Sequence, residues 1–429
     1  MESKLEKITA LAKRRGFIYP GSEIYGGLAG TWDYGPLGVL LKNNIKNSWW
    51  KKFVLRRDDI YGLDATVLMN SKVWEASGHT TGFIDFLVEC KKCHKRFRAD
   101  RLKENKCPEC GGEFTEPRSF NIMFKTFIGA AEDSVSQVYL RPETAQGIFV
   151  NFKNVVDSFH PKMPFGIAQI GKAFRNEIAP KDFIFRIREF EQMEIEYFIG
   201  PPEGKEWEKI FDYWLKQIHE WLEEIGIKKK NLHDREVSEK SRAHYSKKTI
   251  DVDYDYPFGR EELVGFAYRT DFDLKAHGLD YYDEELKSSY IPHVIEPSFG
   301  VDRAVLAILN EAYDEDKLGG EKRVVLRFLP QIAPVKVAVF PLLANKENLI
   351  TKAKQVYETL KPEMSAMWDD NSNIGKRYRR QDEIGTPWCV TIDFETLEND
   401  TVTIRDRDTG KQERLDINSL SGYLLEKLE

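Results

Sequence analysis

Between Ala168 and Ile199 the chain reads AQIGKAFRNEIAPKDFIFRIREFEQMEIEYFI, and this stretch leaves few folds open. Apolar and polar residues alternate on both sides of a break at Ala179-Pro180, the pattern of two strands joined by a polar loop, with the second alternating from Phe185. Strand side chains alternate faces, so Arg175 and Glu177 are expected on one face of the first strand, with Phe174 and Ile178 on the other. On the second strand Phe190, Gln192, Glu194 and Glu196 share a face, with Met193, Ile195, Tyr197 and Ile199 packed behind. One surface then carries an arginine, several carboxylates and an aromatic ring, which suits a ligand floor. The plainer alternative is an antiparallel hairpin whose polar face meets water.

A second polar constellation completes the same chemistry. IEPSFGVDRAVLAILNEAY, residues 295–313, reads as a short strand, a glycine turn and a helix with Val301, Val305, Ile308, Leu309 and Ala312 on its apolar face. Arg303 falls in the first helical turn, the end where the helix dipole disfavours a cation. An anion bound beside it would resolve the conflict.

Four of the five cysteines form Cys90-x-x-Cys93 and Cys107-x-x-Cys110, with thirteen residues between the pairs. That spacing matches a four-sulfur zinc ribbon, a closed structural site; the alternatives are two disulfides or idle thiols. Arg96, Arg98 and Arg101 lie inside this insert and can carry positive charge to a phosphate or carboxylate. Cys389, in TPWCVTIDF, reads as a buried strand residue. No apolar leader precedes the charged, helix-like opening to Arg15, and no apolar run is long enough to span a bilayer, so a reducing cytosolic setting is expected. A net charge of −6 argues against a generally sticky polyanion binder and leaves nucleic-acid contact to local patches.

The chain's 429 residues call for two or three domains. YGGLAGTWDYGPLG, residues 25–38, fits neither phosphate-loop fingerprint and reads as a tight structural turn. Pro36 opens a long helix on which Val39, Leu40, Trp49, Trp50 and Phe53 are available for burial, a candidate dimer contact. FNIMFKTFIG and VYLRPETAQGIFVNF read as strand, turn and a helix from about Glu143; Arg141 and Glu143 either pair with each other or hold a zwitterion. Residues 203–248 read as charged and helical, with an apolar packing stripe from Trp207 to Leu222 and a solvated Lys228–Lys230 run. Thr249–Tyr256 and Leu263–Tyr268 read as strands around a PFGREEL turn. Beyond a linker bracketed by Pro330 and Pro334, strands and helices alternate as a separate α/β domain with one dense basic patch, GKRYRRQ at 375–381.

FRNE…FRIREF and GVDR match motifs 2 and 3 of class II aminoacyl-tRNA synthetases. Adding YGGLAGTWDYGPLG, ASGH, YLRPETAQGIF, RTDFDL and EPSFGVDR in order, the chain resembles the homodimeric glycyl-tRNA synthetase family from about Ile8 to its last helix. The usual proline of motif 1 is not found in IYGLDATVL. The resemblance implies an α+β fold: a class II catalytic domain over 1–330 built on a six-stranded antiparallel sheet, with a zinc-ribbon-like insert at about 86–118 and a helical insert at about 200–248. An α/β anticodon-binding domain follows at 331–429. It implies an ATP-dependent glycine–tRNA ligase that forms glycyl-adenylate, releases pyrophosphate and loads tRNA(Gly). Mg2+ at the phosphates, a structural zinc at the four cysteines, a cytoplasmic homodimer and no membrane partner belong to the same expectation.

Residue by residue, the resemblance places Arg175, Glu177 and Arg303 in catalysis. ATP would meet Arg175, Asn176, Glu177, Phe185, Arg186, Phe190, Glu262, Leu263, Gly300, Val301, Asp302 and Arg303, with adenine between Phe190 and Arg303. Glycine would meet Arg98, Glu143, Phe190, Glu191, Gln192, Met193, Glu194, Glu296, Ser298 and Gly300. Two other classes share parts of this pattern: a synthetase-like binding protein without catalysis, expected to lack Arg175, Glu177 or Arg303, and a class II synthetase for another amino acid, expected to have a roomier pocket.

Overall fold

The computed structural model describes every residue except Met1, Asp100, Arg101, Lys103, Ala131, Ser134, Val135, His244 and Glu429. Its centre is a sheet of seven strands: β1 (Ile60–Leu63), β2 (Phe165–Phe174), β3 (Glu189–Ile199), β4 (Leu232–Glu236), β5 (Lys248–Tyr256), β6 (Gly259–Thr270) and β7 (His293–Gly300). Their order is β4-β5-β6-β7-β3-β2-β1. The first six in that order are antiparallel, and β1 adds a parallel edge beside β2. The expected six-stranded antiparallel sheet is therefore present with one strand more.

Two helices cover the rear of this sheet. α1 (Pro36–Trp50) starts with proline at its first turn, where the missing N–H costs nothing. α2 (Glu206–Glu224) lays its tryptophan stripe on the strands: Phe211 stacks on Phe266 at 4.0 Å, Trp207 on Tyr268 at 4.2 Å, and Trp221 meets Phe299 edge-on at 5.2 Å. Such pairs add about 0.5–1.5 kcal/mol each beyond the area they bury. Met193, Ile195, Tyr197 and Ile199 pack into this same core, so the alternation read from β3 holds. α3 (Val301–Ala312) continues directly from β7 and buries the apolar face expected of it.

Several expectations change. The first strand of the hairpin ends at Phe174, so Arg175 and Glu177 sit in the loop rather than on a strand face. The backbone leaves the ladder there because Asn176 N donates to Ile122 O at 2.7 Å. The second strand starts at Glu189, since Asp182 and Phe183 adopt left-handed backbone and Phe183 to Phe185 turn into the core. The stretch 200–248 is helical over 206–224 and in a short 3-10 turn at 229–231; residues 232–236 form β4 and extend the main sheet. PFGREEL is mostly strand, because β6 begins at Gly259. On α1, Val39 and Leu40 are exposed while Leu37, Leu41, Ile45 and Trp49 face inward, so Trp49 is not available to a partner.

The glycine-rich loop behaves as the tight turn it resembled. Gly30, at φ +73°, passes so close to the motif 2 loop that an added Cβ would stand 2.5 Å from Pro180. Cys90, Cys93, Cys107 and Cys110 cap an insert whose strands Ile84–Glu89, Arg96–Arg98 and Arg118–Asn121 form a small antiparallel sheet.

Beyond Pro334 a second sheet has its own apolar core. It contains β8 (Val337–Pro341), β9 (Ala366–Trp368), β10 (Trp388–Ile392), β11 (Thr401–Asp406) and β12 (Gln412–Asp416), in the order β9-β8-β10-β11-β12. β8 runs parallel to β9 and β10, and the rest is antiparallel. The strand β12 and the short helix Phe394–Asn399 carry no strong sequence period and escaped the pattern. Cys389 is buried on β10, as read. No described helix is long and apolar enough to cross a membrane.

Candidate active site

The front of the main sheet holds two adjoining cavities. The larger, of about 400 Å³, is lined by Arg175, from the loop after β2, and by Arg303, from the first turn of α3. Both cations that the sequence singled out therefore reach one space. The Arg303 guanidinium lies 4.5 Å from the Phe185 ring centroid and 3.0 Å from a Glu262 carboxylate oxygen. The Arg175 guanidinium stands 5.3 Å from both the Phe83 and Phe190 rings, and its Nε donates to Pro142 O at 3.0 Å. Flat aromatic and guanidinium surfaces beside two positive charges suit a purine joined to phosphates.

Glu177, Phe185, Arg186, Phe190, Glu262, Gly300 and Arg98 line the same cavity. Arg98 arrives from the cysteine insert, held by Asp85 at 2.9 Å. Arg101 lies outside the described residues. Glu191 and Asp302 also line it, yet both are tied down. Lys42 of α1 bridges them at 2.7 and 3.3 Å, Tyr34 Oη donates to Asp302 at 2.6 Å, and Glu191 N donates to Asp302 at 2.9 Å. Their carboxylates lock α3 to β3 and to α1.

The smaller cavity, of about 250 Å³, shares Arg175, Gln192 and Ser298 with the first and is lined by Glu143, Glu194 and Glu296. Ser298 Oγ donates to Glu194 at 2.8 Å, and Thr144 Oγ1 donates to the other oxygen. Glu296 accepts from Arg269 Nη1 at 2.7 Å, while Arg269 makes a two-point pair with Asp273 at 2.7 and 2.8 Å beneath the Tyr245 ring. Glu143 lies 3.3 Å from His79 Nε2 and accepts from Gln146 at 3.2 Å.

These neighbours push the carboxyls apart in acidity. Burial pushes Glu296 up to about 8, against the pull of Arg269 and helped by Glu194 and Glu143. Burial and Glu143 also raise Glu194, although Thr144 and Ser298 hydrogen-bond its charged form. Burial alone would raise Glu143 as well, but His79, then Arg269 and Arg175, bring it well below the usual carboxylate range. The space is small and strongly acidic, and it fits an ammonium with little or no side chain attached.

Some sequence-nominated residues lie elsewhere. Met193, Leu263 and Val301 are buried in the core behind the sheet, because strand alternation and the helical stripe turn them away from the cavities, leaving only their backbone in front. The Asn176 side chain lines neither cavity. Arg141 fulfils neither reading made of it: it is 2 % exposed and donates to the carbonyls of Lys172 and Ala65 at 2.6 and 2.7 Å. Gly171 makes that crossing possible, since a Cβ there would stand 2.2 Å from the Arg141 guanidinium. In the basic patch at 375–381, Arg377 is buried on the carbonyls of Pro341, Asp370 and Ser372, and Arg380 pairs with Asp369 at 2.8 Å. Arg379 pairs with Glu321 at 2.8 Å, so most of that charge is buried or already paired and the patch is a poorer RNA face than its composition suggests.

Sequence reasoning did not assign His79, Thr144, Tyr245, Arg269, Asp273 or Lys42. Arg269 and Asp273 had a usable signal, a cation and an anion four residues apart at the end of a buried strand. Lys42 had another, a lone cation inside the apolar stripe of α1.

The four cysteine sulfurs lie within 4.8 Å of one another, with Cys90–Cys110 at 3.4 Å and Cys93–Cys107 at 3.7 Å, and all are free thiols. Sulfur–sulfur edges of about 3.8 Å are expected of a tetrahedron with metal–sulfur bonds near 2.3 Å, so the donor set fits zinc.

Residues 126–312 match the class II tRNA synthetase core domain (G, H, P, S and T), and residues 336–427 match the anticodon binding domain. The chain is 53% identical to the glycine–tRNA ligase of Caldanaerobacter subterraneus subsp. tengcongensis over 99% of its own length and 98% of that protein. It is 52% identical to the glycine–tRNA ligase of Clostridium acetobutylicum over 100% of its length and 99% of the relative. The glycine–tRNA ligase of Acetivibrio thermocellus stands at the same identity and coverage. On the strength of its fold, its paired cavities and these relatives, the chain belongs to the glycine–tRNA ligase family of class II aminoacyl-tRNA synthetases.

Proposed function

We propose that the larger cavity binds ATP and the smaller one glycine, and that the chain joins them as glycyl-adenylate before passing the glycyl group to the 3′ end of tRNA(Gly). The observation that carries this reading is the placement of Arg175 and Arg303 on one cavity that opens, past Gln192 and Ser298, onto an acid-lined space.

The chemistry asks for little covalent help. Glycine arrives with an ionised carboxylate, so attack on the α-phosphate needs positioning and charge neutralisation, not a general base. Arg175, next to the shared boundary of the two cavities, neutralises the α-phosphate. Arg303 meets the γ-phosphate and one face of adenine, and Phe190 takes the other face. Arg186 and Glu177, 3.7 Å apart, help seat the nucleotide. Glu262 is the carboxylate best placed to hold magnesium, which when bound supplies further neutralisation across the phosphates.

Glycine has no side chain to grip, so selection works by holding its ammonium and filling the space beyond it. Glu143, Glu194 and Glu296 surround the ammonium, with Ser298 and Arg98 as further contacts. The tRNA body would meet the domain at 331–429, divided from the catalytic domain at 1–330. The zinc-bearing insert at about 86–118 carries Arg98 to the cavity, and the working assembly is a cytoplasmic homodimer.

The test is ATP–pyrophosphate exchange run with each of the twenty amino acids. Exchange with glycine alone is expected. Exchange driven by serine, threonine or proline would overturn the glycine reading, and none with any amino acid would overturn catalysis.

A further inference from the structure

Glu196 lies one strand step beyond Glu194, on the same face of β3, and is wholly buried with neither carboxylate oxygen hydrogen-bonded. β3 and β7 pair with Glu194 opposite Ser298 and Tyr197 opposite Ile295, which sets Glu196 directly against Glu296. The carboxylate oxygens of Glu194, Glu196 and Glu296 all lie within 4.8 Å of one another. Two like charges in cross-strand register, out of water, repel strongly. Unpaired buried polar groups are also rare in folded chains. A single hydrogen removes both problems, because a neutral carboxyl donates where a carboxylate cannot.

We propose that Glu196 is a positioning residue that keeps its proton, shares it with Glu296 directly or through one water, and so fixes the Glu296 carboxylate for the amino-acid ammonium. The remaining Glu296 oxygen is held by Arg269, so the shared proton and the guanidinium would grip that carboxylate from two sides. The groups facing Glu196 are Glu194 on its own strand, Glu296 on β7, Arg269 on β6 and Asp273 on the helix that follows. β2 presents the apolar Ile167 in register. Glu143 and Tyr245 complete the ring around Glu296. Carboxyls thus outnumber the cations here, and burial with Glu296 alongside pushes Glu196 well above its ordinary range.

The proposal rests on glycine binding at the acid-lined cavity, and the experiment separates the two. Glycine-dependent exchange is measured from pH 6 to 9 for the native chain and for Glu196→Gln, Glu196→Ala and Glu296→Gln. Gln keeps the shape and a donor, so Glu196→Gln should hold kcat/KM for glycine within ~3-fold near pH 7, whereas Glu196→Ala should lose ~10-fold or more, mostly in glycine KM. The native profile should fall on the alkaline side as the shared proton leaves, and Glu196→Gln should lack that fall. A Gln variant as damaged as Ala, or a Gln profile superimposed on the native one, overturns the proposal. Glu296→Gln with unchanged glycine KM sinks the subsite reading instead. Should Glu196→Ala fail to fold, infrared difference spectra decide: a protonated-carboxyl C=O band at neutral pH, absent in Glu196→Gln, is expected. Its absence from the native chain overturns the proposal, as does a melting temperature that depends on added cation only when Glu196 is present.

Discussion

Two ionic networks in this chain look alike in residue type and differ in balance. Where the C-terminal domain meets the hairpin 313–326, Arg323, Arg327, Arg405 and Arg407 interlock with Asp314, Asp316, Asp382 and Asp408, four cations with four anions. Arg323 pairs with Asp316 at 2.6 Å and Asp382 at 2.9 Å, and Arg405 takes both oxygens of Asp382. Behind the smaller cavity, among the described residues, Glu143, Glu194, Glu196, Glu296 and Asp273 are set against Arg269, Arg175, Arg141 and His79. The first network is complete and serves as glue between parts of the chain. The second is short of positive charge, and the deficit is what an ammonium and a proton would fill. A buried network that does not close on itself is a better pointer to a ligand than a buried charge as such.

Removing the best-connected cation tests the unbalanced network hardest. Arg269→Met leaves Asp273 and Glu296 buried without their partner, and such losses cost about 3–5 kcal/mol. The upper end is expected, read as a lowered urea midpoint together with loss of glycine-dependent exchange. A midpoint close to native would mean the acids are already neutral and Arg269 is not their counter-charge. Arg303→Ala should separate the two quantities. Its pair with Glu262 is partly exposed, so stability should barely change, while loss of phosphate stabilisation should lower kcat/KM for ATP by ~10²–10³-fold.

The balanced network should respond differently. Asp382→Asn removes the anion shared by Arg323 and Arg405, but Asp316 still holds Arg323, so a loss near the lower end of about 3–5 kcal/mol is expected. Exchange should survive within ~3-fold while tRNA charging falls further, because only the second step needs the two domains in register. Equal loss of both activities would show that this junction supports the catalytic cavities after all.

The readable parts of the molecule were those with a strong period or a strong motif. The alternation from Phe190 to Ile199 told which residues line the cavities and which pack behind, and the tryptophan stripe of α2 and the cysteine spacing were equally direct. The misreadings share a cause: a residue's neighbours across the sheet are not written in its own segment. Arg175 looked like a strand residue because nothing local announces that Asn176 N bonds Ile122. Arg141 looked like a ligand because the gap at Gly171 that lets it reach two carbonyls is thirty residues away in sequence. Arg377, in a run of cations, looked exposed because three carbonyls from other turns enclose it. Register, not pattern, decides these cases. Glu196 facing Glu296 is the most consequential example.

Acidity offers the finest discrimination between the networks. The proton that Glu196 shares with Glu296 stays on in the folded chain well above the ordinary carboxylate range, with Glu296 itself pushed up to about 8, while either carboxyl in the unfolded chain releases it near 4.5. Between those values the folded state binds more protons than the unfolded one, so raising the pH weakens folding, by about 1.4 kcal/mol per unit for each extra proton. The junction carboxyls have the opposite sign. The hydrogen bond from Arg323 lowers Asp316, so its contribution is complete above the ordinary aspartate range and is lost only as the pH falls below it. From pH 5 to 8 the junction is therefore silent, and above about pH 6, once the raised Asp251 has ionised, a decline in melting temperature belongs to the acid-rich cavity. That decline should flatten in Glu296→Gln and in Glu196→Gln and persist in Asp382→Asn. A decline that Asp382→Asn abolishes and Glu296→Gln leaves intact would assign the stored proton to the wrong network and remove the distinction between them.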